Sequence, residues 1–286
     1  MPSIVLSPFQ MLTVRKSLSA ASAAAFLCTG ACQSGERQAN ETGNAANAAE
    51  HQTVPKLPLP VPQPPMNREQ LLLASVRAAS AFAAGTDDMQ LQKSLANKNY
   101  ELRIRFGCQG PDKAGTDEPL AWTYDSKTRA LKIRATPQLS SKDAPVRAVA
   151  GDAFETVEGF WLRRPWLLDP VCPSTSAGSA ANAGSPQPPP ELVGIAQFFT
   201  STGPRTFRRS GRAYESTKKL DSDLPPTGGF DLVLKGRLVP LPDGRIIACT
   251  RSEGGGRPAC LISVEFGKVS IERADTHEQL AQWGSG

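Results

Sequence analysis

Residues 100–106 read YELRIRF, and apolar and charged side chains alternate along this stretch without interruption. Successive side chains of a strand point to opposite faces, so the pattern predicts a strand with one buried and one hydrated face. The buried set is Tyr100, Leu102, Ile104 and Phe106. A strand with one hydrated face is typical of an antiparallel sheet, because parallel sheets are usually covered on both faces.

Four further stretches show the same alternation: LAWTY (120–124), LKIRA (131–135), FDLVLKGRL (230–238) and CLISVEF (260–266). Turn signals separate them, and the pair Gly267-Lys268, with glycine first, predicts a two-residue hairpin. Two other stretches are apolar on both faces and are predicted to be central strands: EGFWLRRPWL (158–167) and LVGIAQFFT (192–200). The chain shows no repeat of fixed length, which disfavours a propeller or a solenoid.

Two helices are predicted ahead of the first strand. Asn67 is a good N-cap, and Gln70 stands where the partner of a capping box is required. Four residues of the following stretch fall on one helical face: Leu72, Val76, Ala79 and Ala83. A shorter helix is predicted from Thr86 onward, with two leucines one turn apart. Residues 67–286 are therefore predicted to form one α+β domain, mostly antiparallel β, with an N-terminal helical pair on a disulfide-braced sheet or a partly closed barrel.

Residues 1–31 have the order of an export signal. A basic pair, Arg15-Lys16, precedes an apolar run from Leu18 to Cys28, and three small residues then lead to Cys32. The apolar run is too short to span a bilayer, which needs about 20 apolar residues. Met11 is an alternative start, because the ten residues before it carry no charge.

Residues 11–33 resemble the signal of bacterial lipoproteins, in which small residues precede a cysteine that is lipidated and becomes the new N-terminus. The resemblance implies lipidation of Cys32 and a stable anchor in the bacterial cell envelope, since each buried methylene contributes about 0.8 kcal/mol. Gln33, in place of an aspartate, implies the outer membrane facing the periplasm under the enterobacterial sorting pattern. Thr29 departs from the usual leucine, and cleavage by an ordinary signal peptidase is the alternative.

Residues 32–66 are predicted to be a linker. From Gln33 to Thr53 the chain has too few large apolar side chains to offset the entropy of ordering. From Pro55 to Pro65, six of eleven residues are proline, which favours an extended polyproline II spacer of roughly 30 Å. A ligand for a proline-binding partner is the alternative to a spacer. A second low-complexity stretch, 173–190, is predicted to be a loop inside the domain.

Four cysteines remain once Cys28 is removed with the signal and Cys32 is lipidated: Cys108, Cys172, Cys249 and Cys260. An even number of cysteines in an exported protein predicts disulfides. Cys249 and Cys260 lie at the ends of two predicted strands joined by a short loop, so a bridge between them leaves Cys108 with Cys172. A four-cysteine zinc site is the alternative, but the four include no C-x-x-C pair. We therefore predict no metal, and no cofactor is indicated.

The charge of the chain is nearly balanced. The formal charge is +5, and from Cys32 onward 30 basic and 27 acidic side chains give +3, which does not indicate nucleic-acid binding. One segment, 203–219, concentrates basic side chains: Arg205, Arg208, Arg209, Arg212, Lys218 and Lys219. It could bind an anionic glycan, an anionic lipid or an acidic protein. The alternative is a hydrated hairpin whose long side chains cover apolar surface. In a smaller group, 163–166, a guanidinium is predicted to stack on Trp166.

No catalytic residue is identified. The sequence has no G-x-S-x-G, no glycine-rich phosphate loop with its lysine and no H-E-x-x-H. His277, the one histidine of residues 67–286, falls in a predicted turn. Two facing carboxylates would be enough for a glycosidase, but Asp152, Glu155 and Glu158 are predicted to be hydrated loop and strand-edge residues.

Three functions are consistent with these features. The leading one is a non-catalytic, lipid-anchored envelope protein whose domain binds a protein or an anionic glycan or lipid. The second is an envelope hydrolase that acts through carboxylates from separate strands. The third is a structural envelope lipoprotein without a specific ligand. A deep cleft lined by two facing acids would favour the hydrolase, and a flat basic or apolar face would favour the binding protein.

Overall fold

One long strand, β9 (Ala259–Arg273), pairs with four other strands in the computed structural model of the chain. The structure describes residues 63–172, 193–221, 224–251 and 256–284. The predicted export signal, nearly all of the linker and the low-complexity stretch 173–190 lie outside these residues. The described residues belong to one unit, Pro60–Gly286.

Three helices and nine further strands occur in the described part of the chain. The helices are α1 (Arg68–Ala83), α2 (Met89–Leu95) and α3 (Ala144–Ala150). The other strands are β1 (Asn99–Phe106), β2 (Leu120–Asp125), β3 (Ala130–Ala135), β4 (Thr156–Trp161), β5 (Val193–Phe199), β6 (Tyr214–Lys219), β7 (Phe230–Leu238), β8 (Ile247–Thr250) and β10 (Gln279–Trp283).

The larger sheet has the strand order β1-β7-β9-β5-β4, and β8 and β10 also pair with β9. The first half of β9 lies between β8 and β5, and its second half lies between β7 and β10. The β5–β9 pair is parallel, and the other pairs between described strands are antiparallel. The prediction of a mostly antiparallel α+β fold is confirmed, and the sheets do not close into a barrel.

A smaller sheet, with the order β2-β3-β6, packs on the larger one. The ring of Trp122 in β2 lies 5.1 Å from that of Phe230 in β7, measured between centroids. The rings of Tyr214 in β6 and Trp283 in β10 are 5.2 Å apart. Alternate residues of β1 are buried, as predicted, and join these aromatic rings in the main core.

Helix α1 begins where the sequence predicts. The Asn67 side chain accepts a hydrogen bond from the Gln70 N–H, and the Gln70 side chain accepts one from the Asn67 N–H, each at 3.0 Å. The buried face of the helix, however, differs from the predicted one: it contains Leu71, Leu72, Ser75 and Ala78. Ser75 can be buried because its hydroxyl donates to the Leu71 carbonyl at 2.9 Å. The apolar stripe is therefore rotated, and Val76 faces outward.

The predicted hairpin at Gly267-Lys268 is wrong. Strand β9 continues through both residues, and the register between β7 and β9 shifts beside Gly236 instead. A Cβ atom on Gly236 would lie 2.0 Å from the Glu265 carbonyl oxygen, so the close approach of the two backbones requires glycine there. The unpaired residue of this β-bulge is Gly267, which the sequence pattern assigned to a turn.

Strand β4 is an edge strand, although its apolar sequence predicted a central one. Its second face is covered by a separate apolar cluster that includes Val146 and Ala150 of α3. Leu139 covers part of the free edge, because its N–H donates to the Gly159 carbonyl at 3.1 Å. The strand ends at Trp161, so residues 163–167 of the predicted strand form a loop.

Both predicted disulfides are present. Cys249 of β8 and Cys260 of β9 are directly opposite in register, and their sulfur atoms are 2.02 Å apart. Cys108, just after β1, is bonded to Cys172 with an S–S distance of 2.09 Å. The four thiols are therefore consumed in bridges, which contradicts the alternative of a four-cysteine zinc site.

Candidate functional site

The basic segment 203–219 is held against the domain by its own ion pairs. The guanidinium groups of Arg205 and Arg208 contact the Glu155 carboxylate at 3.3 and 3.0 Å. The hydrogen bond from Arg208 holds the pKa of Glu155 below its usual range. Lys218 pairs with Glu278 at 2.8 Å, whereas Lys219 is exposed at the end of β6.

The centre of the same segment is organised around Glu158, which is buried rather than hydrated. Its carboxylate accepts the backbone N–H groups of Arg209 and Ser210, both at 2.7 Å. The Arg209 guanidinium lies 4.7 Å from the ring centroid of Tyr214 and donates to a nearby carbonyl. Burial raises the pKa of Tyr214 to about 12. Arg212 donates to the Arg209 carbonyl at 3.1 Å. These contacts stabilise the loop and leave few of the six basic groups available for a ligand.

Two acids do face each other across neighbouring strands. Asp231 of β7 lies opposite Glu272 of β9, and both side chains are buried. Arg105 binds Asp231 through two hydrogen bonds of 2.6 and 3.1 Å, and Arg103 binds Glu272 at 2.7 Å. Both carboxylates are thus paired with arginines, and Arg103 also contacts Asp231 at 3.8 Å. The two acids are therefore not presented to a substrate as a glycosidase requires.

His277 lies in an exposed turn, as predicted. Its backbone adopts a φ of 57°, and its Nδ1 is 3.5 Å from the Arg103 guanidinium. Within the described ranges no group of His, Cys, Asp and Glu side chains is arranged to hold a metal ion. The helices among these residues include none long and apolar enough to cross a membrane.

Four exposed apolar side chains of helix α1 and of the loop after β4 form a surface that the sequence did not indicate. The loop after β4 reads RRPWLL (163–168), and within it Trp166 is 58% exposed and Leu168 39% exposed. On the outer side of α1, Val76 is 60% exposed and Leu73 is 52% exposed. We call these four residues the apolar face. Exposed apolar groups that lie together on a soluble domain commonly mark a binding surface.

A groove of about 480 Å³ lies between α1 and the loop after β4, and two residues of the apolar face, Val76 and Trp166, line it. The outer side of α1, with Val76 and Ala79, forms one wall, and Pro165 and Trp166 form another. Pro258 and the disulfide-bonded Cys260 also line the groove. This volume falls within the usual range of ligand-binding clefts, and the lining is largely apolar as in such clefts.

Arg68 holds the loop of the apolar face in place. This first residue of α1 is only 6% exposed. Its guanidinium donates to the carbonyls of Leu167, Arg163 and Arg164 in the loop and to the carbonyl of Arg103 in β1. Burial, and then the nearby charge of Arg164, lower the pKa of Arg68. The loop is further fixed at its far end by the disulfide at Cys172.

The expected stacking of an arginine on Trp166 does not occur among the described residues, whose one cation–π contact is that of Arg209 with Tyr214. Trp166 is instead exposed at the groove. Sequence reasoning missed this arrangement because the apolar run 158–167 reads as one continuous strand. Pro165 was the available signal, because proline is not tolerated in a central strand.

Comparisons with known proteins give no match: no family model, no curated protein and no solved structure is significantly similar to the chain.

Proposed function

We propose that the protein is a lipid-anchored component of the bacterial cell envelope whose domain binds a partner through the apolar face and catalyses no reaction. The observation that carries this proposal is the exposure of Trp166 on a loop that Arg68 and a disulfide fix in place. An exposed indole on a rigid loop offers a large contact area at little cost in side-chain entropy.

The hydrolase alternative has less support. Its two facing acids, Asp231 and Glu272, are each tied to an arginine and are buried. The alternative of a structural lipoprotein without a ligand leaves the apolar face unexplained, because exposed Trp and aliphatic side chains promote aggregation when nothing covers them.

An oxidising compartment is supported by the two disulfides. Such bonds persist in the bacterial periplasm and are rare in the cytosol of mesophiles. The proposed anchor at Cys32 and the outer-membrane destination rest on the resemblance of residues 11–33 to a lipoprotein signal.

Replacing Cys32 by alanine is expected to abolish incorporation of labelled fatty acid and to release the protein from the membrane fraction. Cys28→Ala is the matched control, because this residue is proposed to leave with the signal and its loss should change neither result. The measurement is metabolic labelling of the full chain in a bacterial host, followed by fractionation. Labelling that persists in the Cys32 variant would contradict the proposed anchor.

A photo-crosslinking amino acid at position 166 is expected to form an adduct in intact cells. The same amino acid at position 89, an exposed methionine of α2 outside the apolar face, should form at least about tenfold less, since unspecific encounters lack the contacts that hold a partner. Equal yields at the two positions would show that the apolar face binds nothing specific.

A further inference from the structure

The geometry points to the membrane itself as the partner: the apolar face docks on the phospholipid surface that holds the lipid anchor. The inference rests on the proposed function, because only an anchored domain stays continuously within reach of a bilayer. In this arrangement Trp166 and Leu168 enter the interface between headgroups and acyl chains, and the outer side of α1 lies along it.

The side chains of the apolar face have the chemistry of a membrane interface. Tryptophan is enriched at the level of the headgroups, where its ring is partly apolar and its N–H reaches water or phosphate. Val76 lines the groove together with Trp166, Leu73 is exposed one helical turn before Val76, and Leu168 is exposed two residues after Trp166. Such a mixture resembles the apolar side of helices that lie in the plane of a membrane.

Cations flank the tryptophan. Arg163 and Arg164 precede Trp166, and Arg257 lines the groove. In the described part of the chain the Arg164 side chain has no hydrogen-bond or ion-pair partner, whereas Arg163 pairs with Glu118 at 3.0 Å. A guanidinium without a carboxylate partner is available to bind a lipid phosphate.

Acidic side chains also border the apolar face. Glu69 and Asp169 line a depression together with Leu168, and Asp169 lies near the buried charge of Arg68. Asp169 also lines a depression together with Arg163 and Arg164, so acidic and basic groups are mixed along this loop. We expect the Arg164 guanidinium, which has no carboxylate partner among the residues that the structure describes, to be the group that contacts a lipid phosphate.

The chain enters the domain next to the loop that carries Trp166. Pro65 and Asn67, where the chain enters α1, line the same depression as Leu168 and Asp169. The described end of the linker therefore meets the domain next to Leu168 of the apolar face. Because anchoring makes docking an intramolecular event, even weak affinity of the face for lipid is enough to populate the docked state.

The test uses the purified, lipidated full chain in vesicles of phosphatidylethanolamine and phosphatidylglycerol with brominated acyl chains, which quench nearby tryptophan. Trp122 and Trp161 are buried and Trp283 is partly buried, so the quenched emission should come from Trp166. We expect quenching in the wild type and its loss in Trp166→Phe. Arg164→Gln should lower the ratio of docked to undocked protein about fivefold. Lys219→Gln, an equal change of charge outside the face, should not.

Two results would overturn the proposal: no quenching of the anchored wild type, or quenching that Trp166→Phe leaves unchanged. An adduct of position 166 with a protein, in the absence of quenching, would also overturn membrane docking and would leave a protein partner as the function of the face. Failure of the proposed anchor is distinguishable, because it appears as missing fatty-acid labelling. In that case, sedimentation with the same vesicles measures whether the chain without a lipid anchor binds them, and this result tests the docking separately from the anchor.

Discussion

Substitution of Arg68 by alanine is expected to lower the free energy of unfolding by about 3 kcal/mol, because it removes hydrogen bonds from a charged group to four carbonyls. Hydrogen bonds of this kind contribute roughly 1.5–3 kcal/mol each, but their effects are not additive and the desolvation of the guanidinium opposes them. The alanine variant also removes one donor from each of these carbonyls, of which that of Arg164 still accepts the Leu167 N–H at 3.0 Å. Denaturant unfolding of the oxidised protein measures the change.

The matched control is Arg77→Ala in the same helix. Arg77 is exposed and pairs with Asp88 on the surface, so its loss should cost less than about 1 kcal/mol. Arg68→Lys should fall between the two, since an ammonium cannot reproduce the planar fork of donors. If the alanine variants at 68 and 77 are equally stable, Arg68 does not hold the loop as described.

Removal of the Cys108–Cys172 disulfide is expected to cost about 4 kcal/mol. The cysteines are separated by 64 positions, and the chain-entropy model gives a value of this size for a loop of that length. The bridge also fixes the end of the loop that carries Trp166. Equilibrium unfolding of a Cys108→Ala/Cys172→Ala variant measures the loss.

The single variant Cys108→Ala tests whether the loss of stability comes from the missing bridge. The entropic contribution needs both sulfur atoms, so the single variant should be destabilised nearly as much as the double one. For the wild type, alkylation without reduction should label no cysteine among the four in the domain. Two labelled cysteines, or a double variant as stable as the wild type, would contradict the role of this bridge.

Much of the fold was predictable because its signals are local. The alternation in residues 100–106 predicted β1 correctly, since one hydrated face imposes a period of two. The capping box of Asn67 and Gln70 fixed the start of α1 for a similar reason. The two disulfides were also predictable. The predicted export favours disulfides, and the short distance in sequence between Cys249 and Cys260 indicated which cysteines pair.

The candidate site was not predictable, because its residues come from elements that are distant in the sequence. Leu73 and Val76 belong to α1, whereas Trp166 follows β4. The side of α1 that is buried depends on two things. The Ser75 hydroxyl can be buried because it donates to a carbonyl of the same helix, and the sheet determines which side of the helix it packs against. The basic segment was the opposite case: its composition suggested a binding site, but Glu155 and Glu158, some 50 positions away, bind it internally.

The sequence by itself therefore determined the strand faces, the helix start and the disulfide pairing, and it supplied the expectation of export and lipidation. Only the tertiary structure decided which charges neutralise one another and which apolar residues stay exposed. The reason is physical: periodicity, capping and cysteine spacing act over a few residues, whereas burial and ion pairing depend on what packs from elsewhere in the chain. Arg68 is an example. An arginine is usually exposed to solvent, but in this fold Arg68 is buried and its hydrogen bonds hold the loop that carries Trp166.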